Sequence, residues 1–378
     1  MTKVMTVVGT RPEIIRLSRV ISRLDRTVEH VVVHTGQNWD PMLSDVFFDE
    51  LELRKPDRFL GVDTSTLGTV LGGVLAGVEE AIAQERPDAL LVLGDTNSCI
   101  AALMSRRMKI PVYHMEAGNR CFDLNVPEET NRRMVDHVSD FNLVYTEHAR
   151  RNLLAEGLHP RRILHTGSPM REVLEHYRPK IDASTVLHRL ELDPGGYFLV
   201  SAHREENVDD PGRLNQLLEC LRAVRDEWGL PVLVSTHPRT RKRLEQRVDD
   251  PSTLEGIVFH EPFGFLDYVH LQMKARCTLS DSGTISEESA ILRFPAVTLR
   301  DSIERPEALD TGSIVMTGLD VQNVIEAVNV AISSGVGTAC PADYVVADTS
   351  VRVVNFILST ARRHHDWAGI RIPTSAQR

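Results

Sequence analysis

The sequence predicts an α/β protein built from two doubly wound parallel sheets. Short apolar runs that are typical of buried strands alternate with segments of helical periodicity, and the alternation occurs twice along the 378 residues. Most of the apolar runs end in glycine or in a polar side chain. Since open parallel sheets bind their ligands beyond the carboxyl ends of the strands, each half of the chain predicts one ligand-binding edge.

The first half opens with an apolar run, residues 3–8, that leads through Gly9-Thr10-Arg11-Pro12-Glu13 into a helical segment. A turn of this kind presents backbone N–H groups and a positive helix end to a ligand, and Arg11 and Arg16 would add charge-assisted contacts to a phosphate or carboxylate. The remaining elements predicted in this half are strands at 30–34, 88–93, 110–114, 141–145 and 163–166, and a helix at 67–83.

Proline and glycine interrupt the pattern around residues 180–196, which predicts a domain boundary there. We expect an N-terminal domain at 1–180, a C-terminal domain at 181–350, and a C-terminal helix at 351–378 that returns to the first domain. The elements predicted after the boundary are strands at 197–201, 231–235, 257–259, 277–279 and 296–299, and helices at 214–228 and 349–365.

Composition excludes several classes of protein. The formal net charge of −10 disfavours a nucleic-acid partner. No apolar run approaches the roughly 20 residues that span a bilayer, and the N-terminus has no signal-peptide pattern. The five cysteines are widely scattered, so they predict reduced thiols in the cytoplasm rather than disulfides or a metal site.

Residues 114–132, HMEAGNRCFDLNVPEETNR, follow a predicted strand and concentrate acids and arginines. Pro127 suits the first position of a helix with acids in its first turn. Together with Asp95, which ends the preceding strand, Glu116 and Glu128 form a set of carboxylates suited to general acid and base work. A solvated loop with incidental ion pairs is the alternative, and both interpretations stay open on charge alone.

The turn at 280–288, SDSGTISEE, stands before a helix and offers backbone N–H groups and hydroxyls. It would cradle a pyrophosphate, with Ser282 as a donor and Glu288 accepting from ribose hydroxyls. A simple capped helix start is the equal alternative. His203 and His237 each end an apolar strand; single histidines there are usually structural, but two at equivalent strand ends suggest a lined cleft.

Taken together, eight motifs resemble the non-hydrolysing UDP-N-acetylglucosamine 2-epimerase family over almost the whole chain. They are GTRPE (9–13), LGDTNS (93–98), HMEAGNR (114–120), PEETNR (127–132), SAHREEN (201–207), STHPRT (235–240), SDSGTISEE (280–288) and ERPE (304–307). The resemblance implies a GT-B fold, two Rossmann-like domains facing a cleft, with the nucleotide on the C-terminal domain. It implies anti elimination of UDP to a 2-acetamidoglycal and re-addition with C2 inverted, without a cofactor or metal, in a homodimer.

The resemblance also assigns roles position by position. The acid-base and cleft residues that it implies are Asp95, Glu116, Glu128 and His203. The implied contacts to the UDP-sugar are Arg11, Arg16, Arg132, His237, Tyr268, Ser282, Gly283, Thr284, Glu288 and Arg305. Among them Glu288 is expected on the ribose and Arg305 near the leaving group.

Two departures from better-known members point to one branch of the family. Arg16 stands where those members have lysine, and Thr284 where they have a second glycine. These features resemble the branch that converts UDP-2-acetamido-2,6-dideoxy-L-talose to UDP-N-acetyl-L-fucosamine for capsule or O-antigen assembly. Four alternatives stand beside this hypothesis: a UDP-GlcNAc/UDP-ManNAc 2-epimerase, a hydrolysing relative, a GT-B glycosyltransferase, and a nucleotide-sugar sensor without catalysis.

Overall fold

The computed structural model describes residues 1–37, 48–236, 238–245, 254–333 and 339–371. The chain divides into two compact units: the first contains residues 1–120, 124–173 and the C-terminal segment from 346, and the second contains residues 121–123 and 174–345. Each unit is built on its own sheet, and every strand pairing in both sheets is parallel. The two parallel α/β sheets predicted from the sequence are confirmed.

The sheet of the first unit has seven strands in the order β3-β2-β1-β4-β5-β6-β7. Its strands are β1 Lys3–Val8, β2 Glu29–His34, β3 Arg58–Phe59, β4 Ala89–Leu93, β5 Val112–Met115, β6 Phe141–Val144 and β7 Ile163–His165. The central strands are apolar runs because both faces are covered: every residue of β4 is buried. Val7, Val33, Leu90 and Val92 contribute to the core beneath the site.

The sheet of the second unit has six strands in the order β10-β9-β8-β11-β12-β13. Its strands are β8 Phe198–Ser201, β9 Val232–Ser235, β10 Ile257–His260, β11 Cys277–Ser280, β12 Ala296–Thr298 and β13 Val315–Met316. The core of this unit includes Phe198, Val200, Leu221 and Leu279, all fully or almost fully buried.

Helices alternate with the strands in both units. In chain order they are α1 Arg11–Thr27, α2 Leu67–Glu85, α3 Ala101–Arg107, α4 Pro127–Val138, α5 Glu147–Ala155, α6 Met170–Asp182, α7 Val186–Arg189, α8 Glu205–Val208, α9 Pro211–Trp228, α10 Pro238–Glu245, α11 Phe265–Lys274, α12 Ile285–Leu292, α13 Pro306–Asp310, α14 Val321–Ser333, α15 Thr349–Thr360 and α16 His364–Ala368. In the part of the chain that the structure describes, no helix is long and apolar enough to cross a membrane.

The last long helix, α15, packs in the first unit. Ser350 accepts a hydrogen bond from Arg23 Nε of α1 at 2.9 Å, and the Thr360 and Tyr113 hydroxyls lie 2.6 Å apart. The sequence predicts one helix over 349–365, whereas α15 ends at Thr360 and a 3-10 turn, Ala361–Arg363, leads into α16. The segment predicted as one helix is therefore two helices, α15 and α16, joined by this turn.

Candidate active site

Asp95 lies in the loop after β4 and is held by an arginine of α4. Arg132 Nε and Nη2 donate to Asp95 Oδ2 at 3.0 and 2.6 Å, and Asn131 Nδ2 donates to the Asp95 carbonyl at 2.9 Å. The Asp95 side chain keeps about a quarter of its surface exposed. The helix that begins at Pro127 therefore fixes the Asp95 loop, and two of the predicted site residues, Asp95 and Arg132, form an ion pair.

The start of α4 carries the acids that the sequence predicts there. Glu128 is half-buried in the first turn, where the positive end of the helix dipole favours a carboxylate. Glu129 is fully buried and accepts a 2.7 Å hydrogen bond from Arg132 Nη1. Arg132 is thus shared between Glu129 and Asp95, and Glu129, which is not among the predicted site residues, orients the arginine.

Glu116 follows β5 in a left-handed conformation with φ of +64°. This conformation is costly for a residue with a side chain, and such strain clusters at functional sites. The Glu116 carboxylate is buried and forms an ion pair with Arg16 of α1. Asn119 Nδ2 lies 3.4 Å from Glu116 Oε1. Arg11, the first residue of α1, is half-buried.

Glu13 is a buried carboxylate that the sequence analysis did not select, although it belongs to the GTRPE motif. It accepts hydrogen bonds from the Gly9 backbone at 2.7 Å, from the Ser98 hydroxyl at 2.9 Å and from the Thr96 hydroxyl. Burial raises the pKa of Glu13 from its ordinary value, and these three donors oppose the effect. Glu13 therefore ties the turn after β1 to the loop that carries Asp95.

In the second unit, Asp281 joins two loops, as Glu13 does in the first unit. Its carboxylate, fully buried, accepts the backbone N–H groups of His203 and Arg204 at 3.0 Å and Asn207 Nδ2 at 3.1 Å. His203 Nδ1 lies 3.4 Å from Asp281 Oδ1, while nearly half of the His203 side chain is exposed. The loops after β8 and β11 are joined by this carboxylate, and His203 is left accessible.

The turn between β11 and α12 contains three of the predicted contacts. The hydroxyls of Ser282 and Thr284 are 3.0 Å apart, and Arg305 Nη1 donates to the Gly283 carbonyl at 2.9 Å. Arg305 is buried, and its Nε lies 3.1 Å from the fully buried carboxylate of Glu287. Arg305 therefore supports the turn from behind. A Cβ atom on residue 283 would lie 2.8 Å from Arg305 Nη1, so a side chain there would force the Arg305 guanidinium to shift.

Glu288 and Tyr268 are close enough to interact in the second unit. Gln272 Nε2 donates to Glu288 Oε2 at 2.7 Å. Burial raises the pKa of the Tyr268 hydroxyl, and the negative charge of Glu288 raises it further, whereas a hydrogen bond with Ser201 lowers it. His237, the remaining predicted contact, lies outside the described residues. In the described ranges no group of three or more His, Cys, Asp and Glu side chains is arranged to hold a metal ion.

The predicted residues are therefore brought together in pairs within each unit. Asp95 with Arg132 and Arg16 with Glu116 form ion pairs in the first unit. Ser282 with Thr284 and Gly283 with Arg305 are hydrogen-bonded in the second. The residues that position them, among them Glu13, Asp281 and Glu287, are buried acids. Motif membership was the only signal in the sequence for those three acids.

Comparison with known proteins gives consistent matches over nearly the whole chain. Residues 22–358 match the family model described as UDP-N-acetylglucosamine 2-epimerase. A protein of that name from Methanocaldococcus jannaschii is 35% identical over 339 residues, covering 88% of this chain and 92% of the relative. A UDP-2,3-diacetamido-2,3-dideoxy-D-glucuronate 2-epimerase from Pseudomonas aeruginosa is 34% identical, covering 86% of this chain and 90% of the relative.

Solved structures match as closely. A UDP-N-acetylglucosamine 2-epimerase from Rickettsia bellii superposes with a TM-score of 0.90 at 45% identity, covering 97% of this chain and 98% of its own. The M. jannaschii enzyme in complex with UDP-GlcNAc and UDP has a TM-score of 0.90 at 33% identity, covering 95% and 100%. The glycosyltransferase WaaG, at 11% identity and a TM-score of 0.62, shares the fold alone, covering 95% of this chain and 100% of its own. The expected GT-B fold is confirmed.

Proposed function

The chain belongs to the UDP-N-acetylglucosamine 2-epimerase family, a family of isomerases, and on that premise we propose that it inverts C2 of a UDP-N-acetylhexosamine. The observation that carries the proposal is a pair of acids after neighbouring strands of one sheet, Asp95 after β4 and Glu116 after β5. Each acid forms an ion pair with an arginine from a helix: Asp95 with Arg132 and Glu116 with Arg16. A glycosyltransferase needs the nucleotide turn but has no use for such a set of acids in its other unit.

The proposed reaction has two steps. A carboxylate removes the proton from C2 while the bond between C1 and the diphosphate oxygen breaks, giving a 2-acetamidoglycal, UDP and a carboxylic acid. In the return step the diphosphate oxygen adds to C1, and an acid delivers a proton to C2 on the opposite face. The electron pair of the C2–H bond forms the C1–C2 double bond, so no hydride is transferred and no redox cofactor is required.

The first unit is assigned the proton transfers. Asp95 and Glu116 each form an ion pair with a guanidinium, and the pairing holds each carboxylate in a fixed position for proton transfer. Glu128, half-buried at the start of α4, completes the set. Positioned general acids and bases typically contribute 10²- to 10⁴-fold to a rate. These three carboxylates form the proposed catalytic set.

The second unit is assigned the diphosphate. The turn at Ser282, Gly283 and Thr284 offers two hydroxyls and the Gly283 backbone N–H, and donors of this kind stabilise negative charge on a leaving phosphate. Arg305 supports that turn through the Gly283 carbonyl. His203, partly exposed at the end of β8, is a further donor on the same edge of the sheet.

The finer proposal concerns the sugar. We propose that the substrate is UDP-2-acetamido-2,6-dideoxy-L-talose and the product UDP-N-acetyl-L-fucosamine, because Arg16 and Thr284 depart from the lysine and glycine of better-known members. The names of the relatives favour UDP-GlcNAc as the second candidate. The diacetamido-glucuronate 2-epimerase of P. aeruginosa supports the view that family members accept sugars that differ beyond C2.

Proton NMR in D2O tests both levels of the proposal. The protein is offered UDP-N-acetyl-L-fucosamine and UDP-GlcNAc in separate tubes, and deuterium is followed at C2. Exchange with a new epimer in the first tube alone would support the 6-deoxy sugar. Exchange in the second tube alone would keep the reaction and discard that sugar. Absence of exchange in both tubes would contradict the epimerase proposal, and a glycosyltransferase assay would then be the next experiment.

Substitutions in the acid set sharpen the test. Asp95→Asn, Glu116→Gln and Glu128→Gln are each expected to lower kcat by about 10²- to 10⁴-fold, as loss of a general acid or base does. Glu147→Gln is the matched control, since Glu147 is half-exposed at the start of α5 and pairs with Arg150 and Arg151 only weakly, at 3.8 and 3.5 Å. Full turnover in any of the three acid variants would remove that residue from the set.

We also propose a homodimer, on the strength of the family resemblance. Light scattering coupled to size-exclusion chromatography would give twice the mass of one chain. A monomer that is fully active at assay concentration would contradict this proposal and leave the reaction untouched.

A further inference from the structure

His114 is a buried histidine that the proposed reaction does not use. It lies in β5, two residues before Glu116, and its side chain is inaccessible to solvent. Nε2 lies 2.7 Å from the Gly94 carbonyl oxygen, and Nδ1 lies 2.9 Å from Asp136 Oδ1. A neutral imidazole has one N–H and one acceptor nitrogen, so it satisfies only one of these two contacts as a donor.

The surroundings of Asp136 favour an anionic carboxylate. Asp136 is fully buried on α4 and accepts the Gly118 backbone N–H at 3.1 Å and Arg120 Nη1 at 2.7 Å. Arg120 continues to Glu156 through Nε at 2.8 Å and Nη2 at 2.6 Å. Because these donors already face Asp136, the proton between His114 and Asp136 belongs on the histidine.

We infer that His114 is an imidazolium that positions two turns of the first unit, the turn at 94–95 after β4 and the turn at 116–118 after β5. One ring N–H donates to the Gly94 carbonyl and the other donates to the Asp136 carboxylate. The inference rests on the proposed function, because the turns that it joins carry Asp95 and Glu116. His114 is a positioning residue: its contacts are with the backbone beside Asp95 and with the carboxylate that holds the turn after Glu116.

The geometry of the two turns explains why they need such a tie. Gly94 has φ of +74°, Glu116 +64° and Gly118 +82°, so three residues around the acids hold a left-handed conformation. A Cβ atom at 118 would lie 2.3 Å from the Ala149 carbonyl oxygen, so the backbone of this turn passes Ala149 too closely for any residue but glycine. Backbone held in sparsely populated conformations persists only where surrounding contacts determine it. Asp136 and His114 provide those contacts from below.

A purely structural ion pair is the competing explanation, and it makes different predictions. Buried ion pairs often add little net stability compared with apolar packing. If His114 served stability alone, a folded variant would bind and turn over substrate normally. If it positions the turns, a folded variant loses kcat while its nucleotide affinity remains.

Neutron diffraction from perdeuterated wild-type crystals tests the protonation directly. The expected result is deuterium density on both Nδ1 and Nε2 of His114 and none on the carboxylate of Asp136. Density on a single ring nitrogen would overturn the inference. This measurement needs no variant, so it decides the question even if every substitution at 114 prevents folding.

His114→Gln tests the consequence for catalysis. A glutamine amide has donors on one side and an acceptor on the other, so it cannot donate to both Gly94 and Asp136. Misplacement of reacting groups by about 1 Å can cost roughly 100-fold in rate. We therefore expect kcat about 100-fold lower, with unchanged affinity for UDP in isothermal titration calorimetry. Wild-type kcat in a folded His114→Gln protein would overturn the inference.

His165→Gln is the matched control. His165 ends β7 of the same sheet, and its ring bonds the Tyr145 carbonyl at 3.0 Å. We expect its kcat to stay near that of the wild type. Wild-type protein without any C2 exchange would mark failure of the proposed function, whereas an active wild type with an equally active His114→Gln variant would mark failure of this inference alone.

Discussion

The carboxylate of Glu13 accepts a hydrogen bond from the hydroxyl of Ser98 at 2.9 Å, across 85 residues of sequence. The same carboxylate also takes the Gly9 backbone N–H and the Thr96 hydroxyl. One buried acid therefore fixes both the turn before α1 and the loop that contains Asp95. Because the contact with Gly9 is buried, loss of this acceptor would leave the Gly9 N–H with the cost of an unsatisfied buried donor.

Glu13→Gln is expected to destabilise the folded state by about 1–3 kcal/mol, because the amide nitrogen replaces an oxygen of Glu13 and cannot accept a hydrogen bond in its place. Urea unfolding measures the change in free energy of unfolding. Glu79→Gln, at an exposed position of α2, serves as the control and should stay within about 0.5 kcal/mol of the wild type.

The same pair of proteins has a pH signature. Burial raises the pKa of Glu13 above its ordinary value near 4.5, so the folded state binds this proton more tightly than the unfolded chain. The resulting stability is fully present below about pH 4.5 and is lost as the pH rises through the raised pKa. The advantage of wild type over Glu13→Gln should therefore shrink with rising pH; an advantage that grows would contradict the assignment.

His34 should make the first unit sensitive to mild acid. It is buried beside Phe59, its Nδ1 accepts the Gly36 N–H at 3.0 Å, and burial lowers its pKa to about 4. Below about pH 6.5 His34 binds a proton in the unfolded chain but stays neutral in the folded state. The free energy of unfolding therefore falls as the pH drops toward 4. Between pH 6.5 and 5 the loss of unfolding free energy from this group should be roughly 1.5 kcal/mol.

His34→Asn tests this pH dependence, because Asn Oδ1 keeps an acceptor for Gly36 without titrating. The variant should show a shallower fall in the free energy of unfolding over the same pH range. His364, whose pKa burial also lowers to about 4, is present in both proteins, so the difference reports His34 alone. Parallel curves for the two proteins would contradict the prediction.

Arg305→Lys should weaken UDP binding about tenfold, which corresponds to about 1.4 kcal/mol. The planar guanidinium of Arg305 reaches the Gly283 carbonyl with Nη1 and Glu287 with Nε, and a lysine lacks this fork. Calorimetric titration with UDP measures the effect. Arg276→Lys, at an exposed position in the same unit, is the control, and equal affinities in the two variants would argue against a supporting role for Arg305.

Tyr344→Phe should cost more stability than Tyr197→Phe, although both tyrosines are buried and both donate at 2.7 Å. Tyr344 donates to the carboxylate of Glu307, whereas Tyr197 donates to the Leu271 carbonyl. Hydrogen bonds to charged groups are worth about 1.5–3 kcal/mol and neutral ones about 0.5–1.5 kcal/mol. Thermal or urea unfolding compares the two, and an equal or smaller loss for Tyr344→Phe would contradict this ranking.

Most of the fold is predictable from the sequence because apolar strands and amphipathic helices leave a periodic signal. The strand predicted at 3–8 is Lys3–Val8, and the helix predicted at 67–83 is Leu67–Glu85. Two edge strands, Arg58–Phe59 and Val315–Met316, were missed because two residues are too few to form a pattern. Helix α6 was missed as well, since Pro179 inside it signals an interruption that the structure does not have.

The candidate site is only partly predictable. Motifs located the acids and arginines that end the strands, such as Asp95 and Glu116. They did not reveal what holds those side chains, because the supporting contacts join distant residues: Asp136 meets His114 across 22 positions, and Asp281 meets His203 across 78. No local pattern encodes such a pairing. Only the three-dimensional arrangement of the strands brings the partners together.

The strand order of each sheet has a consequence for where chemistry can be placed. The chain winds outward from β1 to β3 and then returns to the other side of β1 with β4; the second sheet does the same with β8 and β11. At these topological switch points the following loops diverge, and backbone geometry opens a crevice whatever the side chains are.

In each sheet a buried carboxylate joins the two loops beside the crevice, but the acid follows the earlier strand in the first sheet and the later strand in the second. In the first sheet Glu13, after β1, reaches the loop that follows β4; in the second Asp281, after β11, reaches the loop that follows β8. The position of the crevice thus follows from the strand order, and in each sheet a buried acid joins the two loops that border it. We therefore expect that the surrounding loops can be replaced to suit another sugar nucleotide, provided that Glu13 and Asp281 are retained.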